Sequence, residues 1–238
     1  MDIKEFVSGF RNHPILFIGT GISLRYFKDS YTWDGLLRHV AYELHENEEY
    51  YLDIKSNSEV DGKYDYTKIA SELEKDFNSY LQGSRNGKFK EINDVFYKLM
   101  EENINCSRFK IYIAKLLDDS DVNPALKDEI SELKKIRKNI ASIITTNYDQ
   151  FIEKYFEFSP LIGNDILLSN PYGSVYKIHG CISDPIRIIV TESDYVRFNS
   201  KFELIRAQLL SMFIHNPIIF LGLFDVGCGI RPLSWARI

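Results

Sequence analysis

Three short apolar runs in this chain each stop at a turn of small and polar residues, and that repeated junction constrains the fold more than any bulk property. Ile15-Leu16-Phe17-Ile18 runs into Gly19-Thr20-Gly21-Ile22-Ser23. Ile140-Ala141-Ser142-Ile143-Ile144 runs into Thr145-Thr146-Asn147-Tyr148-Asp149, and Val175-Tyr176-Lys177-Ile178 runs into His179-Gly180. Short apolar runs bounded by turn residues read as β-strands. In open α/β sheets, ligands bind just beyond the carboxyl ends of the strands. A Gly-rich turn, an Asn/Asp pair and a His are therefore expected to converge on one crevice.

The rest of the chain reads mostly as helix. Leu36, Leu37, Val40, Ala41 and Leu44 form one helical stripe after a polar stretch that ends near Trp33, whereas residues 46–64 are polar and read as loop or weak helix. Further stripes follow at Ile69, Ala70, Leu73, Phe77 and Tyr80, at Phe89, Ile92, Val95, Phe96 and Leu99, and at Phe109, Tyr112, Ile113, Leu116 and Leu117. Asn123-Pro124 opens a fourth helix, with Pro in the first turn, where its missing N–H costs little. Beyond Ile140 the pattern predicts strands at 140–145, 175–178, 186–190 and 217–221 and helices at 148–158 and 202–215. Thr191 and Asp194 resemble a capping arrangement for a further short helix. This order predicts an α/β, Rossmann-like fold: a mostly parallel sheet with helices on both faces and an inserted helical module at about 34–138.

Composition narrows the function classes. A chain of 238 residues suits one α/β domain with a smaller inserted module. The net charge of −5, without a dense Lys/Arg block, argues against nucleic acid as the main ligand. The most basic segment, Lys134-Lys135-Ile136-Arg137-Lys138, reads as a solvated helix face. No apolar run approaches the roughly 20 residues that a membrane span needs. The start Met1-Asp2-Ile3-Lys4-Glu5 lacks signal-peptide character, so a cytoplasmic protein is expected. Cys106, Cys181 and Cys228 are too few and too scattered for paired zinc knuckles, and no metal is expected.

Each motif has two readings by itself. Gly19-x-Gly21 is half a dinucleotide fingerprint, because Leu24 stands where the third Gly belongs. The turn either brings backbone N–H groups to a diphosphate, with Ser23 adding a hydroxyl, or is a plain tight turn. Thr145-Thr146-Asn147-Tyr148-Asp149 serves equally as an ordinary helix N-cap. His179, with Gly180 behind it, either faces a ligand or is structural.

Together and in this order, the motifs resemble those of the sirtuin family, Gly-Ala-Gly-x-Ser, Thr-Gln-Asn-x-Asp and His-Gly. The spelling Thr-Thr-Asn-Tyr-Asp, the segment Trp33-Asp34-Gly35-Leu36 and Val190-Thr191-Glu192-Ser193-Asp194-Tyr195 look like one branch. That branch comprises the sirtuin-like domains of prokaryotic anti-phage systems such as Thoeris and defence-associated sirtuins. The resemblance spans about residues 13 to 222. It implies one NAD-binding domain over 1–222, followed by an atypical tail at 223–238 that reads as truncated or non-native. Where the branch usually continues Gly-Tyr-Ser after the last strand, this chain has Gly222-Leu223-Phe224. Protein-deacylating sirtuins carry Gly-Ile-Pro-Asp-Phe-Arg after the first motif and usually a four-cysteine zinc module. This chain has Leu24-Arg25-Tyr26-Phe27-Lys28-Asp29 and no such module.

The resemblance implies an NAD+ glycohydrolase that releases nicotinamide and ADP-ribose, depleting NAD in anti-phage defence. In that reaction the leaving group is already cationic and needs no protonation. The site must supply positioning, electrostatic complementarity and an activated acceptor. By resemblance, Asn147 contacts the nicotinamide ribose and orients water. His179, taken as an imidazole near neutral pKa, is general base or ribose-hydroxyl holder, and Asp149 fixes Asn147. Gly19, Thr20, Gly21, Ser23, Thr146 and Gly222 bind the nucleotide. The expected partners are NAD itself, further copies of the chain and a regulatory partner or fused domain such as an ATPase. Alternatives are a non-catalytic NAD-sensing module, an NAD-dependent protein deacylase and, least of all, a hydride-transferring dehydrogenase.

Overall fold

Four buried residues in a row at Ile15–Ile18 mark a strand covered on both faces, the setting of a parallel sheet between helix layers. The computed structural model describes residues 13–118, 120–168 and 173–223. In chain order its first elements are β1 (Ile15–Ile18), α1 (Gly21–Tyr26), α2 (Trp33–His45), α3 (Glu48–Asn57), β2 (Glu59–Val60) and β3 (Lys63–Tyr64). Helices α4 (Tyr66–Gly83), α5 (Lys90–Glu101), α6 (Arg108–Asp118) and α7 (Lys127–Lys135) follow. The remainder is β4 (Ile143–Thr145), α8 (Phe151–Phe156), β5 (Ser159–Ile162), β6 (Ser174–Lys177), α9 (Glu192–Lys201), α10 (Glu203–His215) and β7 (Ile218–Leu221).

The described residues fall into two units. The first holds 13–29, 120–168, 173–181 and 202–223; the second holds 30–118 and 182–201. The first is built on a five-stranded sheet of order β5-β6-β4-β1-β7, parallel at every pairing. Alternation along the strands sends side chains to two apolar layers. Leu16, Ile18, Ile143 and Val175 pack with Ile22 and Tyr26 of α1, Ile130 of α7 and Phe151, Ile152 and Phe156 of α8. Ile15, Phe17, Ile144 and Tyr176 pack on the opposite face with Ile205, Leu209 and Met212 of α10. The fold class is thus the expected Rossmann-like α/β arrangement. The chain reverses its direction of growth at β1, which has β4 on one side and β7 on the other. In such sheets the ligand crevice opens at that switch, beyond the carboxyl ends.

The second unit is helical. Leu37, Val40 and Ala41 of α2, Ile69, Ala70, Leu73 and Phe77 of α4, and Phe109 and Ile113 of α6 are among its fully buried residues. Helices α2, α3 and α4 start on side-chain caps: Thr32 accepts from the Gly35 amide, Asn47 from Glu49 and Asp65 from Thr67. Two members of the expected stripes, Tyr80 and Val95, are exposed.

Five expectations are corrected. Residues 46–64 hold helix α3, which the weak-helix reading allows, and a β2–β3 hairpin that it does not, turned by Asp61-Gly62 with positive φ at both positions (52° and 75°). The run 186–190 is not a strand, because Pro185 offers no ladder N–H and Pro185–Arg187 closes a 3-10 turn. Ile188 and Val190 there are simply buried apolar residues. Strand β5 was not expected at Ser159-Pro160; Pro is tolerated because β5 is an edge strand. The helix expected at 148–158 is shorter, Phe151–Phe156, and the strand expected at 140–145 starts at Ile143. Residues 224–238 of the expected tail lie outside the described residues. No helix among the described residues is long and apolar enough to cross a membrane.

Candidate functional site

The end of β1 and the end of β7 meet backbone to backbone. The Gly19 amide donates to the Leu221 carbonyl (3.0 Å) and the Gly21 amide to the Gly222 carbonyl (2.8 Å). Gly222 holds φ +65°, and a Cβ there would lie 2.8 Å from the Ile22 nitrogen. Only glycine meets both demands. A Cβ on Gly19 would sit 2.8 Å from the Gly222 carbonyl oxygen. The Gly turn is therefore seated on the β7 exit, and its Gly19 and Gly21 amides are used within the protein.

The Asn/Asp loop joins this turn through side chains. Asn147 Nδ2 donates to the Gly19 carbonyl (3.0 Å) and to Ser23 Oγ (2.9 Å). Ser23 Oγ in turn donates to Asp149 Oδ2 (2.6 Å), which commits its only hydrogen. Asp149 Oδ1 accepts from the Phe151 amide (2.9 Å) and so starts α8. The loop is anchored from below: Thr145 Oγ1 donates to the Ile18 carbonyl (2.9 Å) and accepts from the Asn147 amide (3.1 Å). The carbonyl of Gly19 and the acceptor oxygen of Ser23 fix the Asn147 carboxamide with nitrogen toward them. Its Oδ1 is left buried without a hydrogen-bond partner in the protein. A buried acceptor in that state costs about 1–3 kcal/mol.

The third motif follows β6. Ile178 donates its amide to the Thr145 carbonyl (3.1 Å), which sets the His179 turn beside the Asn147 loop. Gly180, at φ 92°, closes the turn by donating to the Lys177 carbonyl (3.2 Å). His179 is buried, and desolvation pulls its imidazole down to about 4. This corrects the expectation of a near-neutral imidazole. At neutral pH the ring is uncharged and a weak base, better suited to holding a hydroxyl than to taking its proton.

The structure thus brings Gly19, Ser23, Asn147 and Asp149 into one hydrogen-bonded network, with Gly21 and Gly222 beside it and His179 on the neighbouring turn. Asp149 reaches Asn147 through Ser23 rather than directly. Thr20 and Thr146 are half-buried, and their side chains join no part of this network among the described residues. Two participants escaped the sequence reading. Lys177, fully buried at the end of β6, pairs with Glu153 Oε1 of α8 (2.9 Å) and donates to the Asp149 carbonyl. Cys181 Sγ lies 3.8 Å from the same Glu153 oxygen. The available signal was a lysine within an otherwise apolar strand. Among the described residues no group of three or more His, Cys, Asp or Glu is placed to hold a metal ion.

Residues 141–224 match the family model of the SIR2-like domain. The match takes in β4 through β7 and carries Asn147, Asp149, Lys177, His179 and Gly222, and it supports a sirtuin-like domain in this chain. A comparison with curated proteins finds no match.

Proposed function

We propose that the protein is an NAD+ glycohydrolase whose site lies beyond the carboxyl ends of β1, β4 and β6. The observation that carries this reading is the Asn147 carboxamide, locked through its nitrogen and left with a buried, unpartnered oxygen. Such an acceptor suits a ribose hydroxyl or the attacking water, and the fixed nitrogen removes the entropy of orienting it. The neutral imidazole of His179, on the turn beside the Asn147 loop, does not oppose the positive charge that builds on the sugar. Glycines at 19 and 222 let the ends of β1 and β7 meet backbone to backbone, which seats the Gly turn beside the Asn147 loop. NAD as substrate rests on the SIR2-like match and on the three motifs.

In the cell such an activity fits an NAD-depleting effector of anti-phage defence. Its restraint would come from assembly into homo-oligomers or from a regulatory partner or fused domain such as an ATPase. The low basicity of His179 favours one second reading, a module that binds NAD and leaves it intact. Incubating the purified protein with NAD, and measuring free nicotinamide by chromatography beside Asn147→Ala and His179→Ala, separates the two. Release by the parent and its loss in both variants is the expected result. Stoichiometric NAD binding by calorimetry without release would replace hydrolysis with sensing. Undiminished release by both variants would remove the site.

A further inference from the structure

A lysine with no exposed surface needs a reason, because an ammonium withdrawn from water is costly unless it is paired and hydrogen-bonded. Lys177 has two partners. Glu153 Oε1 of α8 lies 2.9 Å from Nζ, and the main-chain carbonyl of Asp149 accepts a hydrogen bond from it. That carbonyl sits in the loop between β4 and α8, where no strand or helix ladder would otherwise satisfy or fix it. The same residue's carboxylate leads through Ser23 to Asn147. One ammonium on β6 therefore fixes the backbone from which the Asp149–Ser23–Asn147 relay hangs.

Glu153 is finished on one side only. Its Oε1 faces Lys177 and Cys181, while its Oε2 is buried without a partner in the protein. A carboxylate kept solely to weld α8 to β6 would gain by satisfying both oxygens, as Asp194 does in the helical unit. The incomplete shell is what remains when the carboxylate is placed for the ammonium.

We propose that Lys177, held by Glu153, is a positioning residue that sets the Asn147 carboxamide for its ligand. This rests on the reading of that carboxamide as the ribose or water contact. Lys177 touches no reacting atom itself and acts through Asp149 and Ser23. Outer partners of this kind, when removed from around metal ligands, typically lower affinity or activity 10–100-fold, and a loss of that order is expected here.

The test is the double variant Lys177→Met/Glu153→Leu. It removes both charges together, so neither is left alone in the interior. Two readouts are taken on the full chain. The first needs no ligand: NMR of the Asn147 side-chain amide, whose two protons exchange slowly with solvent while both are donated. Exchange at least about 10-fold faster than in the parent is expected. The second is steady-state nicotinamide release, with kcat expected to fall about 10–100-fold while KM for NAD stays within about threefold. If the double variant fails to fold, Glu153→Gln keeps the shape and loosens the hold on the ammonium, and both readouts move the same way by about 3–10-fold. Parental exchange at Asn147, or parental kcat in an active protein, overturns the proposal. A parent that releases no nicotinamide overturns the hydrolase reading instead, and the exchange measurement still decides the positioning role.

Discussion

Each unit of the protein buries a lysine–carboxylate pair, and the two pairs are finished differently. In the helical unit, Lys110 of α6 meets Asp194 of α9 at 2.6 Å and also donates to the Ile188 carbonyl. The second oxygen of Asp194 accepts from the Val190 and Thr191 amides and from the Thr191 hydroxyl. Burial alone would raise its pKa, but Lys110 and these donors hold the carboxyl below the ordinary carboxylate range. In the sheet unit, Lys177–Glu153 leaves a carboxylate oxygen without a partner. The Asn147 carbonyl and the Tyr176 hydroxyl are also left over, and these three are all the buried side-chain polar atoms without partners among the described residues. A polar cluster with every group satisfied is a fastening. The Asn147 oxygen, left over just beyond the end of β4, marks a place kept for something else.

The comparison can be broken at either pair. Asp194→Ala strands the Lys110 ammonium, so folding stability should fall by about 3–5 kcal/mol in urea titrations, while nicotinamide release per folded molecule stays at the parental level. Asn147→Ala should do the reverse. Release drops about 10²–10³-fold, and stability changes by less than about 2 kcal/mol. Equal effects of the two substitutions on activity would erase the distinction between fastening and site.

Acidification sharpens it. Below 6.5 the unfolded chain protonates its His179, whereas the folded protein keeps that ring neutral down to about 4. Stability from this group is thus complete above pH 6.5 and declines as pH falls toward 4, by about 3 kcal/mol. Urea midpoints across that range should show this extra decline in the parent and lack it in His179→Gln. The smallest effect belongs to the helical unit: Thr32→Ala removes the cap of α2, with about 1 kcal/mol lost in the same titrations and NAD cleavage unmoved.

Much of this was readable from the chain before folding. Apolar runs that end in Gly, Asn and His betray strand ends, because a strand buried on both faces admits little else. Thr191 and Asp194 cap each other reciprocally, as their spacing suggested. Burial defeated the reading elsewhere. Lys177 and Glu153 look like surface charges in one dimension, and only the packing of α8 on β6 makes them interior. His179 looks titratable near neutrality until desolvation is counted. Ser159-Pro160 gives little strand signal, because Pro fits a strand only at a sheet edge, and in the run from Ile186 to Val190 only the fold shows that Ile188 and Val190 are buried outside any strand. Residues 46–64 hid a hairpin because Asp61-Gly62 was surrounded by other polar residues.

The central claim is that the Asn147 oxygen is left for a ribose hydroxyl or the water beside it. A crystal structure of the chain with a non-cleavable NAD analogue tests it most directly. The expected result is a ribose hydroxyl, or a water bound to that ribose, about 2.7–3.2 Å from Asn147 Oδ1 with the Ser23–Asp149 relay intact. An analogue bound elsewhere, with that oxygen still unpartnered, would contradict the account.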